Sequence, residues 1–464
     1  MKVSSIKIKK YLQFKDIDID LTYPIGHEKA GKPLEKVCFI GQSGTGKTTL
    51  LRLLKYFISM NSSIGQNINI NPIIEKMVEM KLIFKNYSFI RTTNSKDGFI
   101  ISDSKLNNVF IENKKLISFR DSYLEKLKPY LINFPAELVF DTSPVDAKRE
   151  IEEATTKDTT DKEKTLSQLT PESIVDFAFD DASKTWDLVL KDIKEYQAKL
   201  LEWGTKMAAI ATHKNHNIKE IQKINKDYSE WIEKNPNPLE ILAEKCLDPI
   251  LKKFGLRVKV DMDYQTILNL GNILLQTMDG KEVHRNFWST GTKQIYSVAT
   301  PLYELSPQNA VILIDEPERS LYPDVQKMVV DYYTGLTKDC QFFFATHSPI
   351  IASSFDPWEI IELKFDKQNE FVHLEKNYKG ERHIDNFDFY PKYLRWDRIL
   401  MKVFELEEEG NSHYRDEALI ELAEIKRELN KLESKSPRIQ SVRYKKLADE
   451  YITKAKKLGW NEKN

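Results

Sequence analysis

Cysteine is scarce in this chain: Cys38, Cys246 and Cys340 are the only three in 464 residues. They are odd in number, far apart and without the spacing of metal ligands, which excludes a disulfide framework and a cysteine-based zinc site. A reduced, cytoplasmic compartment is the expectation. Net charge is also lacking, since Lys plus Arg and Asp plus Glu both total 70. That balance gives no support to wholesale coating of nucleic acid, although a local basic face stays open. The opening MKVSSIKIKKYLQF alternates apolar and polar residues and lacks the unbroken apolar stretch of a signal peptide. No run approaches the roughly 20 apolar residues of a membrane helix. A soluble protein without a membrane partner is expected. With 41% hydrophobic and 30% charged residues, a chain of this length has the material for several folding units and a solvated helical surface.

Period-two alternation predicts strands at Val3–Ile8 and Phe14–Leu21, before a Pro- and Gly-containing loop from Tyr23 to Lys36. Val37-Cys38-Phe39-Ile40 is apolar without alternation, as in a strand covered on both faces. Short apolar runs across 79–119 suggest an antiparallel sheet, and the polar stretch Glu150–Thr165 reads as a linker. Beyond it the period changes. Trp186, Val189, Ile193, Tyr196, Leu200, Trp203 and Met207 step by threes and fours, and Ile221, Ile224, Tyr228 and Trp231 repeat the rhythm. Either an antiparallel helical hairpin or two helices lying on a core accounts for both stripes. Leu239–Phe254 reads as a helix, and Val258–Asp263, Ile273–Met278, Val311–Ile314 and Gln341–Ala345 read as strands. After about Asp397 the chain is helical and highly charged.

Gly41-Gln42-Ser43-Gly44-Thr45-Gly46-Lys47-Thr48, followed by Thr49, fits G-x-x-x-x-G-K-[ST] between a buried strand and an amphipathic helix. Backbone N–H groups from a loop free of bulky side chains can wrap the β-phosphate of ATP, and the helix N-terminus adds its positive dipole end. Lys47 is placed to neutralise the β- and γ-phosphates, and the Thr48 hydroxyl to ligate Mg²⁺. Downstream, Val311-Ile312-Leu313-Ile314-Asp315-Glu316 is an apolar strand ending in two carboxylates. Side chains alternate along a strand, so the two can divide the work. Asp315 would hold Mg²⁺ through water, and Glu316 would polarise the attacking water as general base. Phe342-Phe343-Phe344-Ala345-Thr346-His347 is a further buried strand with a polar end, where His347 can sense the γ-phosphate. Ser289-Thr290-Gly291-Thr292-Lys293-Gln294 opens another helix. Ser289 and Gly291 there offer a hydroxyl and an exposed N–H to a second phosphate. One chain cannot easily bring both loops to one γ-phosphate, whereas two chains arranged head to tail can.

This ordered set resembles the ABC ATPase superfamily, and more closely its RecF, SMC and OLD-type branch. The specific part is Asp315-Glu316-Pro317-Glu318-Arg319-Ser320-Leu321-Tyr322-Pro323, similar to the D-E-P-E-x-x-L-x-P of OLD-type and bacterial defence ATPases. The resemblance implies an α/β, ABC-type P-loop NTPase head of mixed and antiparallel sheet, with an α-helical insert and an α-helical C-terminal tail. The expected division is 1–150 for the N-terminal part of the head, 151–238 for linker and insert, 239–365 for the rest of the head, and 366–464 for a mainly helical region. It also implies that Ser289 and Gly291 reach the ATP of a second copy in a dimer or higher oligomer. By the same resemblance Ser320–Pro323 form an interfacial loop and His347 is the switch histidine. Thr290 and Thr292 depart from the family's L-S-G-G-Q, and the glutamine loop is placed near Phe134-Pro135-Ala136-Glu137. The overall plan resembles the PtuA-type ATPases of Septu and retron-associated anti-phage systems.

No nuclease site is legible. Asp385, Asp388 and Asp397 lack a strand-plus-D-x-D frame, Asp261 and Asp263 read as a solvated strand edge, and His213 and His216 read as a surface pair. Cutting is therefore expected of a partner, such as an HNH nuclease, with a retron reverse transcriptase or its nucleic acid as further candidates. The tail from Arg438 to Lys457 carries basic residues interleaved with Tyr444 and Tyr451, diluted by Asp449 and Glu450. The competing functions are a DNA-repair or chromosome-handling ATPase that binds DNA itself, an ATP-dependent scaffold, and a transporter ATPase. The strand-rich 79–119 segment and the D-E-P-E run argue against the last.

Overall fold

The structure is a computed structural model, and it describes residues 2–59, 78–84, 87–92, 98–103, 109–112, 131–136, 174–177, 182–212, 218–261, 273–404, 413–435, 442–458 and 460. The expected linker at Glu150–Thr165, His213, His216, Glu137 and Asp263 lie outside the described residues. The chain divides into two compact units, Met1–Leu394 and Arg395–Asn464.

In the first unit the described strands are β1 (Lys2–Tyr11), β2 (Phe14–Asp20), β3 (Lys36–Gly41), β4 (Val78–Phe84), β5 (Tyr87–Thr92), β6 (Gly98–Asp103), β7 (Val109–Glu112), β8 (Leu131–Phe134) and β9 (Ile174–Asp176). After the helical insert come β10 (Leu256–Val258), β11 (Leu275–Thr277), β12 (Glu282–Val283), β13 (Val311–Asp315), β14 (Gln341–Ala345), β15 (Ile360–Phe365) and β16 (Val372–Glu375). Thirteen of them form one sheet in the order β7-β6-β5-β4-β1-β2-β16-β15-β3-β14-β13-β8-β9, and β10-β11-β12 form a second, antiparallel one. The pairs β15–β3, β3–β14, β14–β13, β13–β8 and β8–β9 are parallel. From β1 outward through β4, β5, β6 and β7 every pair is antiparallel, as the short apolar runs of 79–119 suggest. The fold is the expected mixed α/β arrangement.

The parallel strands are apolar without alternation because both faces are covered. Val37, Cys38, Phe39, Ile40, Ile312, Leu313, Ile314 and Phe343 are all fully buried. Among the buried polar residues that interrupt them is Gln341. It is completely buried, and its Oε1 accepts from Val3 N at 2.6 Å while its Nε2 donates to Val3 O at 2.9 Å and Leu34 O at 2.8 Å. One amide thus ties β1 to the middle of the sheet at no cost in unsatisfied groups.

Helix α1 (Lys47–Ser59) follows β3 and turns Leu50, Leu51, Leu53 and Leu54 into the core. The insert consists of α2 (Ala182–Thr212) and α3 (Ile218–Lys234). Tyr196 stacks on Trp231, and Trp203 meets Tyr228 edge-on, so the two run antiparallel. Both readings of the stripe hold, each for part of it. Val189 and Ile193 are buried while none of Leu201 to Ile210 is, so the start of α2 lies on a core and the later turns form the hairpin.

Two expectations need correction. The helix expected over Leu239–Phe254 is interrupted by a π-helical turn at Ala243–Leu247, where the N–H of Asp248 bonds to Ala243 O. Pro249 explains it: its ring has no N–H and would strike the Lys245 carbonyl, so the turn before it widens. The strand expected over Val258–Asp263 falls instead at β10 (Leu256–Val258), paired with β11 and sharing only Val258 with the expected run; Lys259 to Asp261 are not strand. Helices α4 (Thr290–Leu305) and α5 (Pro323–Gly335) complete the unit around the sheet. The first unit continues past 365 to Leu394 because β16 pairs with both β15 and β2.

The second unit is helical, with a short helix at Trp396–Lys402, then α6 (His413–Lys435) and α7 (Val442–Lys457). Two basic residues and one tyrosine of α7 meet acids of α6. Lys454 bonds to Glu421, Arg443 lies 3.4 Å from Glu428, and Tyr444 bonds to Glu433. No helix among the described residues is long and apolar enough to cross a membrane.

Candidate functional site

β3, β14 and β13 run parallel, with Phe39 beside Ala345 and Ala345 beside Asp315. Their carboxyl ends therefore deliver the phosphate loop, the Thr346–His347 segment and the acidic pair to one edge of the sheet, the crevice where open α/β sheets bind ligands.

Backbone geometry explains the loop's glycines. Gly41 has φ +144°, and a Cβ there would stand 2.3 Å from Leu363 O and 2.8 Å from Thr45 Oγ1. Gly46, at φ +92°, would drive a Cβ to within 2.5 Å of Gln13 Nε2 and of Phe14 Cζ. The β1–β2 turn thus presses on the loop from one side, and Gln13 Nε2 donates to Gly44 O at 3.2 Å. Gln42 and Ser43 are exposed, and Thr45 is buried with its hydroxyl donating to Gln42 O at 2.8 Å. Lys47 Nζ donates to Gly41 O at 2.9 Å and Gln42 O at 3.0 Å. Burial lowers its pKa to about 8, against the opposing pull of Asp315, Glu318 and Glu316. Thr49 lies one residue further along α1, half-buried.

Thr48 Oγ1 donates to Asp315 Oδ2 at 2.8 Å, joining the phosphate loop to the end of β13. Burial raises the Asp315 pKa, and the Thr48 hydroxyl partly offsets it. A hydroxyl and a carboxylate side by side make a hard-oxygen donor set that suits Mg²⁺, and the side-chain-free cradle at Gly41 suits a phosphate. ATP and Mg²⁺ fit the residues present. A cavity of about 470 Å³ opens beside them, lined by Thr48, Arg52, Lys55, Asn133, Asp315, Pro135 and Ala136. The segment expected to carry the glutamine loop therefore borders this site through Pro135 and Ala136.

Glu316 is one residue past the strand, with φ +50° and its N–H bonded to Ala345 O at 2.8 Å. A left-handed, non-glycine residue held by a sheet hydrogen bond is strained and fixed in place. His347 is exposed, and its pKa is lowered, first by partial desolvation and then by the Lys47 charge. It therefore favours the neutral imidazole.

Ser289 and Gly291 are placed differently. Ser289 caps α4, its Oγ accepting from Thr292 N at 3.1 Å. Gly291 abuts the turn after β13, where an added Cβ would lie 2.6 Å from Ser320 O. That turn carries Ser320 at φ +59°, with Tyr322 strongly exposed. The structure thus gathers Gly41 to Thr49, Asp315, Glu316 and His347 around one loop, sets Gly291 against the Ser320–Leu321 turn and leaves Ser289 as the cap of α4.

Several neighbours of the site escape sequence reasoning. Lys55 Nζ donates to Asp176 Oδ2 at 2.8 Å and Asn133 Nδ2 to Asp176 Oδ1 at 2.7 Å, beside the same cavity. Asp176 stands in a three-residue strand with no motif around it. Arg319 Nη1 donates to Ala136 O at 2.5 Å. Glu318, legible as part of D-E-P-E but without an assigned task, turns back to accept from His347 N at 2.9 Å. Among the described residues no group of three or more His, Cys, Asp or Glu is arranged to hold a metal ion. Asp385 lies 3.7 Å from His383, and Asp397 3.3 Å from Arg395.

Residues 1–352 match the family model described as AAA ATPase domain. No curated protein matches. Among solved structures the chain is similar to an Smc head bound to the C-winged helix domain of ScpA, at 10% identity and TM-score 0.42, covering 81% of this chain and 97% of that one. It is also similar to an Smc head domain with an extended coiled coil bound to the C-terminal domain of ScpA derived from Pyrococcus furiosus (11% identity, TM-score 0.40, covering 81% and 96%). The SMC head domain from Thermotoga maritima gives 10% identity and TM-score 0.38 over 81% of this chain and 98% of that one.

Proposed function

Because the chain belongs to the AAA ATPase domain family, we propose that it binds ATP with Mg²⁺ and hydrolyses it to ADP and phosphate at the site between β3, β13 and β14. The Thr48–Asp315 hydrogen bond carries this reading, since it sets the phosphate loop and the acidic strand end within reach of one triphosphate. The backbone N–H groups from Gln42 to Lys47 would cradle the β-phosphate, and Lys47 would release the loop carbonyls to bridge the β- and γ-phosphates. Thr48 and Asp315 would hold Mg²⁺, which when bound neutralises charge on the phosphates. Glu316 would take the proton of the attacking water, and neutral His347 would orient that water beside the γ-phosphate.

Ser289 and Gly291 open a helix on a different loop, so their use on a triphosphate calls for a second copy arranged head to tail. ATP would draw two heads together and hydrolysis would release them. That cycle would gate a partner effector in the cytoplasm. A nuclease of an anti-phage system, in the manner of the PtuA-type ATPases, is the proposed partner, on the strength of the Asp315-Glu316-Pro317-Glu318 run and the lack of a legible cutting site. Against the alternative that the chain binds DNA itself, Arg443 and Lys454 of the basic tail are paired with Glu428 and Glu421 and so contribute less free charge to α7.

Equilibrium binding of a fluorescent ATP analogue with Mg²⁺, together with phosphate release, tests the core of this reading. Wild type should bind and turn over, Lys47→Ala should lose binding, and Glu316→Gln should bind but turn over at least about a hundredfold more slowly. Equal binding by wild type and Lys47→Ala sinks it. Equal, negligible turnover by wild type and Glu316→Gln would favour a scaffold.

A further inference from the structure

The segment after β13 folds back on itself within three residues. Glu316 takes a positive φ, Pro317 is buried, and Glu318 turns toward the end of β14. There its carboxyl oxygen Oε1 accepts from His347 N at 2.9 Å, while Oε2 is buried with no hydrogen-bond partner. A buried carboxyl oxygen without a partner costs free energy, so it persists where the rest of the group does something the fold or the site needs. Here the rest of the group fixes the backbone of His347. The surroundings tighten the same segment. Ser348 N donates to Thr346 Oγ1 at 2.9 Å, and Ser348 Oγ donates to Gln326 Oε1 at 2.7 Å. Gln326 Nε2 in turn donates to Leu321 O at 2.8 Å. Thr346 and Ser348 are thereby anchored on either side of His347, and the histidine's own backbone N–H is anchored by Glu318.

We propose that Glu318 is a positioning residue for ATP hydrolysis: by accepting from His347 N it fixes the imidazole at the γ-phosphate end of the site and orients the lytic water through it. The inference rests on the reading of this site as an ATPase. Glu318 itself touches neither nucleotide nor water in this scheme. Its effect should fall on the chemical step and leave ground-state binding alone, because His347 is used at the reacting phosphate and the cradle is built by other residues. Burial raises the Glu318 pKa, against hydrogen bonds from the Thr346 side chain and His347 N that lower it; a carboxyl oxygen accepts from His347 N whether or not the group carries its proton.

The test compares Glu318→Gln, which keeps an acceptor oxygen at the same length, with Glu318→Leu, which keeps the volume and removes the acceptor, in the full-length chain. His347→Ala serves as reference. Glu318→Leu should lower kcat for phosphate release about tenfold or more with KM for ATP little changed, His347→Ala should match it, and Glu318→Gln should restore kcat to within about threefold of wild type. Amide hydrogen exchange of the peptide containing His347, measured without nucleotide, should quicken in the Leu variant and stay protected in the Gln variant. Unchanged kcat in Glu318→Leu, or equal losses in the Leu and Gln variants, overturns the proposal. Should the wild type show no turnover, the ATPase reading has failed on its own, and exchange decides alone whether Glu318 holds His347: unaltered protection in the Leu variant then overturns it.

Discussion

Thr48 and Asp315 stand 267 positions apart in sequence, yet their side chains share a 2.8 Å hydrogen bond. Thr48 lies in the first turn of α1 and Asp315 closes β13, so the bond sets the distance at which an Mg²⁺ ion could meet both. Replacing Asp315 by Asn keeps the shape and removes the charge. The Mg²⁺ concentration needed for half-maximal ATP binding should rise about 10- to 100-fold, read by titrating the metal against a fluorescent ATP analogue. No change would remove Asp315 from the metal's surroundings.

Lys47 begins with its pKa lowered from 10.5 to about 8, chiefly by burial. Above that pH the unliganded lysine is neutral, and triphosphate binding must take up a proton. ATP affinity should hold steady from pH 6.5 to 7.5 and be about tenfold weaker at pH 9 than at pH 7. Calorimetric titrations in two buffers of different ionisation heat should show about one proton absorbed per site at pH 9 and little at pH 7. Folding stability moves the other way. Between the folded and unfolded pKa values the unfolded chain binds the extra proton, so this lysine's contribution improves as pH rises through that window.

Gly291 leaves no room for a side chain, because an added Cβ would sit 2.6 Å from Ser320 O. Gly291→Ala should displace the Ser320–Leu321 turn at a stability cost of about 1–3 kcal/mol. If that corner serves a second copy, turnover should fall at least about tenfold while ATP binding by the single chain is retained. Phosphate release and equilibrium binding, measured on the same preparation, separate the two. Loss of binding in step with turnover would place Gly291 elsewhere in the mechanism.

Gln341 offers a prediction free of nucleotide. Its amide makes three hydrogen bonds to the backbone of Val3 and Leu34 inside the sheet. Gln341→Leu strands those groups, and unfolding free energy should drop by about 3 kcal/mol, measured from the urea midpoint at unchanged slope. Gln341→Glu should be worse, since it adds a buried charge beside the Leu34 carbonyl.

Local pattern was enough to read much of the head. The uninterrupted apolar runs at 37–40, 311–314 and 342–344 identified buried parallel strands, because only a strand covered on both faces can dispense with polar alternation. The turn from Gly41 to Lys47 was legible as a tight, side-chain-poor loop because its steric demands, at Gly41 and Gly46, fall on neighbouring residues. The insert's stripe was legible as helix but divided between two tasks, and nothing in its period marks where Val189 and Ile193 leave off facing a core. The π-turn before Pro249 shows the same limit in reverse: the proline was visible, but whether the chain would stop or widen depended on its packing.

From the order of its residues alone, then, this chain specifies a phosphate loop, an acidic strand end and a polar strand end, because each is a local arrangement of backbone and neighbouring side chains. Tertiary structure decides what those pieces do to one another. Glu318 reaches His347 N, Gln13 braces Gly44, Asp176 holds Lys55 and Gln341 clasps Val3 only after the strands have taken their places. Hydrogen bonds between residues distant in sequence leave no periodic trace in it, since each depends on where a whole strand lands and which way one side chain then faces.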